Sequence, residues 1–172
     1  HLLSTGVTEN EVRDELEYAM RRLGADGPSY DTIVASGPTN SARPHHHPTG
    51  TKIENGHTVI IDVGALVAGY HSDMTRSFVV GPMSSEQAEW YEAVRAAQQA
   101  GVEACRPGVQ VSEIDAACRR VLSQAGLEQY FTHGTGHGVG LVIHEEPFIN
   151  SSGQAILQPG DVVTVEPGLY RG

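Results

Sequence analysis

An aspartate stands inside an apolar run, Val59-Ile60-Ile61-Asp62-Val63. A carboxylate taken out of water there is costly unless it is paired, hydrogen-bonded or bound to a cation. A second acid, Asp73, opens the next strand-like run, Asp73 to Val80, after the glycine-containing stretch Gly64 to Gly69. A hairpin would set the two acids side by side, where like charges repel unless a proton or a metal ion neutralises them. Spacing alone leaves a second arrangement open, in which Asp73 caps a turn and Asp62 accepts backbone N–H bonds.

The rest of the chain supplies a frame for this hairpin. Thr8-Glu9-Asn10-Glu11 fits a capping box, and Val12, Leu16, Ala19, Met20 and Leu23 follow at helical spacing until Gly24. A second helix is predicted from Ser84, with Gln87 at the box position, to about Arg106, before Pro107-Gly108. Its apolar face includes Tyr91, Val94, Gly101, Val102 and Cys105. A third helix is predicted from Ser112, with Asp115 at the box position, burying Ile114, Cys118, Val121, Leu122 and Ala125 and closing at Gly126. Strands are predicted over Tyr30 to Ala35, Thr58 to Val63, Asp73 to Val80, Val139 to His144 and Val162 to Glu166. Pro48 to Gly56 and Pro159-Gly160-Asp161 read as turns. Helices fall in blocks between paired strands, without βαβ alternation. The expected class is α+β with a mainly antiparallel sheet.

Composition narrows the function. The 172 residues carry a formal charge of −10 and no basic patch is evident. A sequence-independent grip on nucleic acid, or on an anionic membrane surface, is therefore not expected. The longest apolar stretch, Val59 to Gly69, is broken by Asp62 and falls short of the ~20 residues of a membrane span. The opening His1-Leu2-Leu3-Ser4 does not read as a signal peptide. Two cysteines, Cys105 and Cys118, cannot build a disulfide framework or a cysteine metal site, and a reducing, cytoplasmic setting is expected.

Nine histidines are the unusual count. Three of them, His133, His137 and His144, fall in His133-Gly134-Thr135-Gly136-His137-Gly138-Val139-Gly140-Leu141-Val142-Ile143-His144-Glu145-Glu146. Histidines spread through glycines suggest a site where backbone approaches a ligand; a glycine-rich loop with surface histidines is the plainer reading. The spacing matches neither a dinucleotide fingerprint nor a P-loop, and Pro147 excludes a zincin helix. Glu166 ends another apolar run, Val162 to Val165, ahead of Pro167-Gly168. In Arg43-Pro44-His45-His46-His47-Pro48, His46 and His47 read as solvated loop residues. No serine or cysteine sits in a nucleophile elbow or a papain-like context, which disfavours covalent catalysis. Three acids and one histidine in an apolar frame form an oxygen/nitrogen donor set suited to Mn, Co, Zn or Fe.

Several segments together carry a resemblance. They are Ile61-Asp62-Val63-Gly64, Gly69 to Arg76 with Ser72-Asp73-Met74-Thr75-Arg76, His133 to Gly140, Ile143-His144-Glu145-Glu146-Pro147 and Thr164-Val165-Glu166-Pro167-Gly168-Leu169-Tyr170. In this order they resemble the pita-bread metallopeptidases of the M24 type, and most closely the Xaa-Pro aminopeptidase and prolidase branch. The Ala35 to His46 loop is similar to that branch too. It departs by one extra residue near Thr39 and by Arg43 where an aliphatic residue is usual.

The resemblance implies a pita-bread fold. It implies Asp62, Asp73, His137 and Glu166 as ligands of two divalent ions, manganese first and Co, Zn or Fe as alternatives. His45 and His144 would contact the substrate carbonyl and the tetrahedral intermediate, Glu166 would also accept a proton, and His133 would bind substrate. The expected reaction is hydrolysis of the peptide bond preceding proline. The alternatives are a catalytically silent peptide-binding module, or another pita-bread hydrolase such as methionine aminopeptidase or creatinase. The family's fifth ligand, a second Glu, falls beyond Gly172. Residues 1–172 therefore read as one catalytic domain incomplete at both ends, with a proline-containing peptide as partner and a homodimer as a possible assembly.

Overall fold

The computed structural model describes residues 3–171. They form two compact units, the first ending at Gln87 and the second running Ala88–Arg171.

In the first unit, α1 (Glu9–Arg22) opens with the expected capping box. The Glu11 N–H donates to Thr8 Oγ1 at 3.2 Å and the Thr8 N–H donates to Glu11 Oε2 at 2.8 Å. Val12 faces the core, whereas Leu23 is the C-cap and is exposed, because the apolar stripe ends with the helix. Then come β1 (Gly27–Pro28), β2 (Ile33–Ser36), the single turn α2 (Gly37–Asn40), β3 (Thr58–Val63), β4 (Ala65–Val67), β5 (Tyr70–His71) and β6 (Met74–Val79). The order β2-β3-β6 makes an antiparallel sheet in which Asp62 lies opposite Ile33 on one side and Thr75 on the other. The Gly64 to Gly69 connection is not a plain loop. It contains β4, which joins β1 and β5 in a second small antiparallel sheet. Val12, Val34, Ile53, Val59 and Ile61 form the core.

The helix α3 (Ser85–Ala104) begins at the end of the first unit. Ser84 and Gln87 bond reciprocally at its start, as expected. Its buried residues are Ala97 and Gly101; Tyr91 and Val102, expected on the apolar face, are exposed. Small residues carry the contact there, since a Cβ on Gly101 would overlap the Cys118 side chain. The following helix α4 (Val111–Gln124) buries Val111, Ile114, Cys118 and Leu122. Its N-cap is Gln110 rather than Ser112, and Asp115 is turned into the core instead of closing a box. Ala125, expected to be buried, is exposed at the C-cap, and Gly126 ends the helix at φ +69°.

After a single 3₁₀ turn (Glu128–Tyr130), β7 (Gly136–Gly138) pairs antiparallel with β8 (Glu145–Ile149). Two expected strands fail here. Residues Val139 to His144 form the irregular connection between β7 and β8, with Leu141 and Val142 exposed and the Val142 N–H given to Glu145 Oε2. Val162 to Glu166 runs beside β7 through bonds from Thr164 N to His137 O and from Glu166 N to Thr135 O, both 2.8 Å. That pairing amounts to an isolated bridge, Gly138 to Val163, while the β7–β8 ladder itself shifts register between Gly136 and Gly138. The unit has two cores, Ala97-Cys118-Leu122-Phe131 and Val111-Ile114-Ile149-Leu157. The α+β class and antiparallel pairing are as expected. Among the described residues no helix is long and apolar enough to cross a membrane.

Burial pushes the Cys118 thiol up to about 11 from an ordinary 9.0. A thiol whose folded value is raised contributes stability below its unfolded value and loses it as pH rises through the folded one. From pH 9 to 11 this loss amounts to about 2 kcal/mol. Urea unfolding of the second unit should therefore weaken across that interval by about this amount more in the wild type than in Cys118→Ala. Equal slopes in the two proteins would refute the assignment.

Candidate metal centre

In the first unit, the hairpin of β3 and β6 brings Asp62 and Asp73 to a common partner that sequence reasoning missed. The Tyr30 hydroxyl lies 2.5 Å from Asp62 Oδ1 and 2.9 Å from Asp73 Oδ1. One phenolic proton is thus shared between two carboxylates. Burial, and then the hydrogen bond to Asp62, pushes the Tyr30 hydroxyl far above its ordinary value, so it remains a donor. Only the β2–β3 register could have revealed Tyr30: Ile33 pairs with Asp62, which brings the start of β2 to the acids.

The same unit corrects the reading of the histidine run. His45 is exposed and has φ +61°, a left-handed conformation unusual for a residue with a side chain. His47 is exposed as expected, but His46 is buried, with Nε2 3.0 Å from Glu9 Oε2. A run of adjacent histidines has no periodicity, so nothing in the sequence told one ring from the next. Burial alone would raise Glu9; bonds from His46, Asn40, Ser36 and Thr49 outweigh it and hold the carboxyl below its ordinary value.

In the second unit, His137 lies on β7 and Glu166 on the adjacent extended segment. His137 Nδ1 is 2.9 Å from the Gly138 carbonyl, which can only accept, so Nδ1 carries the proton. In the neutral ring Nε2 then presents a lone pair, and it faces Glu166 Oε1 at 3.2 Å. Two acceptors at this distance require a proton or a cation. Fixing a histidine through its far nitrogen is also how metal-ligating rings are oriented. The Thr164 hydroxyl donates to Glu166 Oε1 at 2.6 Å and accepts the His137 N–H at 3.0 Å, tying the two segments together. Glycine is required at this approach: a Cβ on Gly136 would overlap the Thr164 carbonyl, and one on Gly138 would overlap the Glu146 carbonyl.

His144 packs near-perpendicular to His137, with ring centroids 4.4 Å apart. His133 gives Nδ1 to the Gly134 carbonyl and stands edge-on to Phe131 and Tyr170. Its Nε2 is buried without a hydrogen-bond partner. A further network was not anticipated. Asp115 receives Arg119 Nε at 2.7 Å and Thr135 Oγ1 at 2.8 Å, and Arg119 also donates to the Phe131 and His133 carbonyls. It fastens the histidine- and glycine-rich segment to α4.

A carboxylate pair, and an imidazole pre-oriented toward a carboxylate, are the donor chemistry of proteins that hold hard or borderline cations. The donors fit such ions: oxygen and nitrogen only, with His137 Nε2 set against Glu166.

The chain belongs to metallopeptidase family M24, whose profile matches residues 1–172. It is 43% identical over 168 residues to the Xaa-Pro dipeptidase of Pyrococcus horikoshii, covering 98% of this chain and 48% of that one. Among solved structures, prolidase from Pyrococcus furiosus is similar at TM-score 0.96 and 44% identity, with 98% of this chain and 50% of that one covered. X-Pro aminopeptidase from Thermotoga maritima is similar at TM-score 0.95 and 38% identity, covering 98% and 48%. The pita-bread fold expected from the motifs is the fold found. The chain spans about half the length of the curated relatives it matches.

Removing the shared donor tests the Asp62–Asp73 pair. Tyr30→Phe leaves two carboxylates adjacent without the phenolic proton. Urea unfolding of the first unit in EDTA should lose about 1–3 kcal/mol, and an unchanged midpoint would show that the hydroxyl does not hold the pair.

Proposed function

We propose that the complete protein is a metal-dependent peptidase that cleaves the bond preceding proline, as an Xaa-Pro dipeptidase or aminopeptidase. The observation that carries the metal part of this reading is His137 Nε2 facing Glu166 Oε1 at 3.2 Å with Nδ1 already committed. The similarity to Xaa-Pro dipeptidases and prolidases supports the specificity. The Xaa-Pro bond is a tertiary amide without N–H, so its recognition differs from that of other peptide bonds.

Asp62, Asp73, His137 and Glu166 are the proposed ligands, and Asp73, His137 and Glu166 each offer one ligand atom. Two divalent ions, manganese foremost, would supply positive charge that acidifies water and polarises the scissile carbonyl. Glu166 accepts the proton from the attacking water. His45 and His144 donate hydrogen bonds to the oxygen that gains charge. His133 binds substrate, and its buried unpartnered Nε2 supports that role. Residues 1–172 then belong to one catalytic domain. A cytoplasmic location and a homodimer complete the reading.

The second reading, a silent peptide-binding module, predicts peptide affinity without turnover. Purified complete protein, supplied with Mn or Co, should hydrolyse Xaa-Pro dipeptides in preference to Met-initiated peptides or creatine. Binding without hydrolysis would favour the module. His144→Ala should lower kcat by about 10²–10³-fold while the metal content measured by plasma emission stays the same. Turnover equal to wild type would remove His144 from the reaction.

A further inference from the structure

The proposed mechanism does not use Glu9 or His46, yet they form a buried acid–histidine pair beside His45, to which it gives a role. Glu9, on α1, is 0% exposed. Its Oε1 accepts the Ser36 N–H at 2.8 Å, the Ser36 hydroxyl at 2.9 Å and Asn40 Nδ2 at 3.0 Å. Its Oε2 lies 3.0 Å from His46 Nε2 and accepts the Thr49 N–H at 3.0 Å and the Thr49 hydroxyl at 2.8 Å. One carboxylate therefore clasps both ends of the Ser36 to Thr49 segment, and His46 besides.

Between these anchors His45 holds φ +61°. A non-glycine residue in that region is strained and persists only where its surroundings over-determine it. Here the determinant is the next residue: His46 is buried and bound to Glu9, while His45 itself is exposed. The segment contains no regular element beyond α2, so side-chain bonds rather than a ladder fix its path.

We propose that Glu9 and His46 are positioning residues for His45: the buried pair sustains the strained backbone that presents the His45 imidazole to the reacting carbonyl. The role given to His45 rests on the proposed peptidase function; the postural claim rests on the geometry alone.

The test uses the complete protein and two independent readouts. The first is the His45 ring resonance in ¹H–¹³C NMR spectra without metal. Glu9→Gln keeps the shape of the side chain but turns an amide N–H₂ toward one set of donors. It should shift or broaden His45 while leaving His144 in place. The second is kinetics with manganese. Glu9→Gln should lower kcat by about 10²-fold, the scale of a small misplacement of a catalytic group, with KM within about threefold. In the His45→Ala background the same substitution should lower kcat no further. Should Glu9→Gln fail to fold, His46→Leu takes its place, and His46→Gln, which keeps a donor toward Glu9, should restore most of the loss. An unmoved His45 resonance, or an equal drop in both backgrounds, overturns the proposal. If the wild type hydrolyses no Xaa-Pro peptide, the functional reading falls while the NMR comparison still decides the positioning claim.

Discussion

Carboxylates removed from water govern this structure, and each must be answered by donors or by charge. An isolated ionised acid in the interior is too costly to persist. The chain meets that constraint in two distinct ways. Glu9 and Asp115 are fully buried and answered by protein donors: His46, Ser36, Asn40 and Thr49 in one case, Arg119 and Thr135 in the other. Asp62 with Asp73, and Glu166 with His137, are answered differently. The first pair shares a phenolic proton, and the second sets a carboxylate oxygen against an imidazole nitrogen. Acids of the first kind are structural; those of the second kind are the ones proposed as metal ligands.

The structural acids share a design. Glu9 projects from α1 and Asp115 from α4, and each ties a helix to a segment that carries histidines with a proposed role. Glu9 clasps the segment with His45. Asp115, through Thr135 and Arg119, clasps the segment with His133 and leads directly into His137. Loops carry function because their side chains are free to converge, but they lack a ladder to hold them. A charged hydrogen bond is stronger than a neutral one, and its partners are directionally fixed. A buried carboxylate on a rigid helix therefore supplies to a loop the precision that a strand obtains from its neighbours.

Much of this was legible in the sequence. Thr8 with Glu11, and Ser84 with Gln87, mark their helices because capping is local chemistry at fixed spacing. Asp62 announced itself because an acid in an apolar run demands an explanation. The order of motifs carried the family. What stayed hidden was tertiary. Tyr30 reaches Asp62 only through the β2–β3 register, and Glu9 reads as an ordinary first-turn acid until the Ser36 to Thr49 segment folds over it. Asp115 fitted a capping box by spacing, but burial turned it inward. Val139 to His144 has the apolar content of a strand, yet the β7–β8 connection exposes Leu141 and Val142. Apolar content does not fix a strand when a register shift and close glycine contacts interrupt the pairing.

The strain at His45 also bears on why the clasp is charged. A left-handed histidine could be relieved by placing glycine at the position, but glycine has no imidazole. It could instead be held by packing, but the role proposed for the ring requires it to remain exposed. The compatible solution is to constrain the backbone from the neighbouring residue, which can be buried because it has no contact to make outside. His46 does this, and a buried imidazole needs a partner, which Glu9 provides. Glu9 in turn needs several more donors, which the ends of the segment supply. Each buried polar group thus creates the requirement that the next one meets, and the chain of requirements starts from one exposed ring that has to be both strained and still.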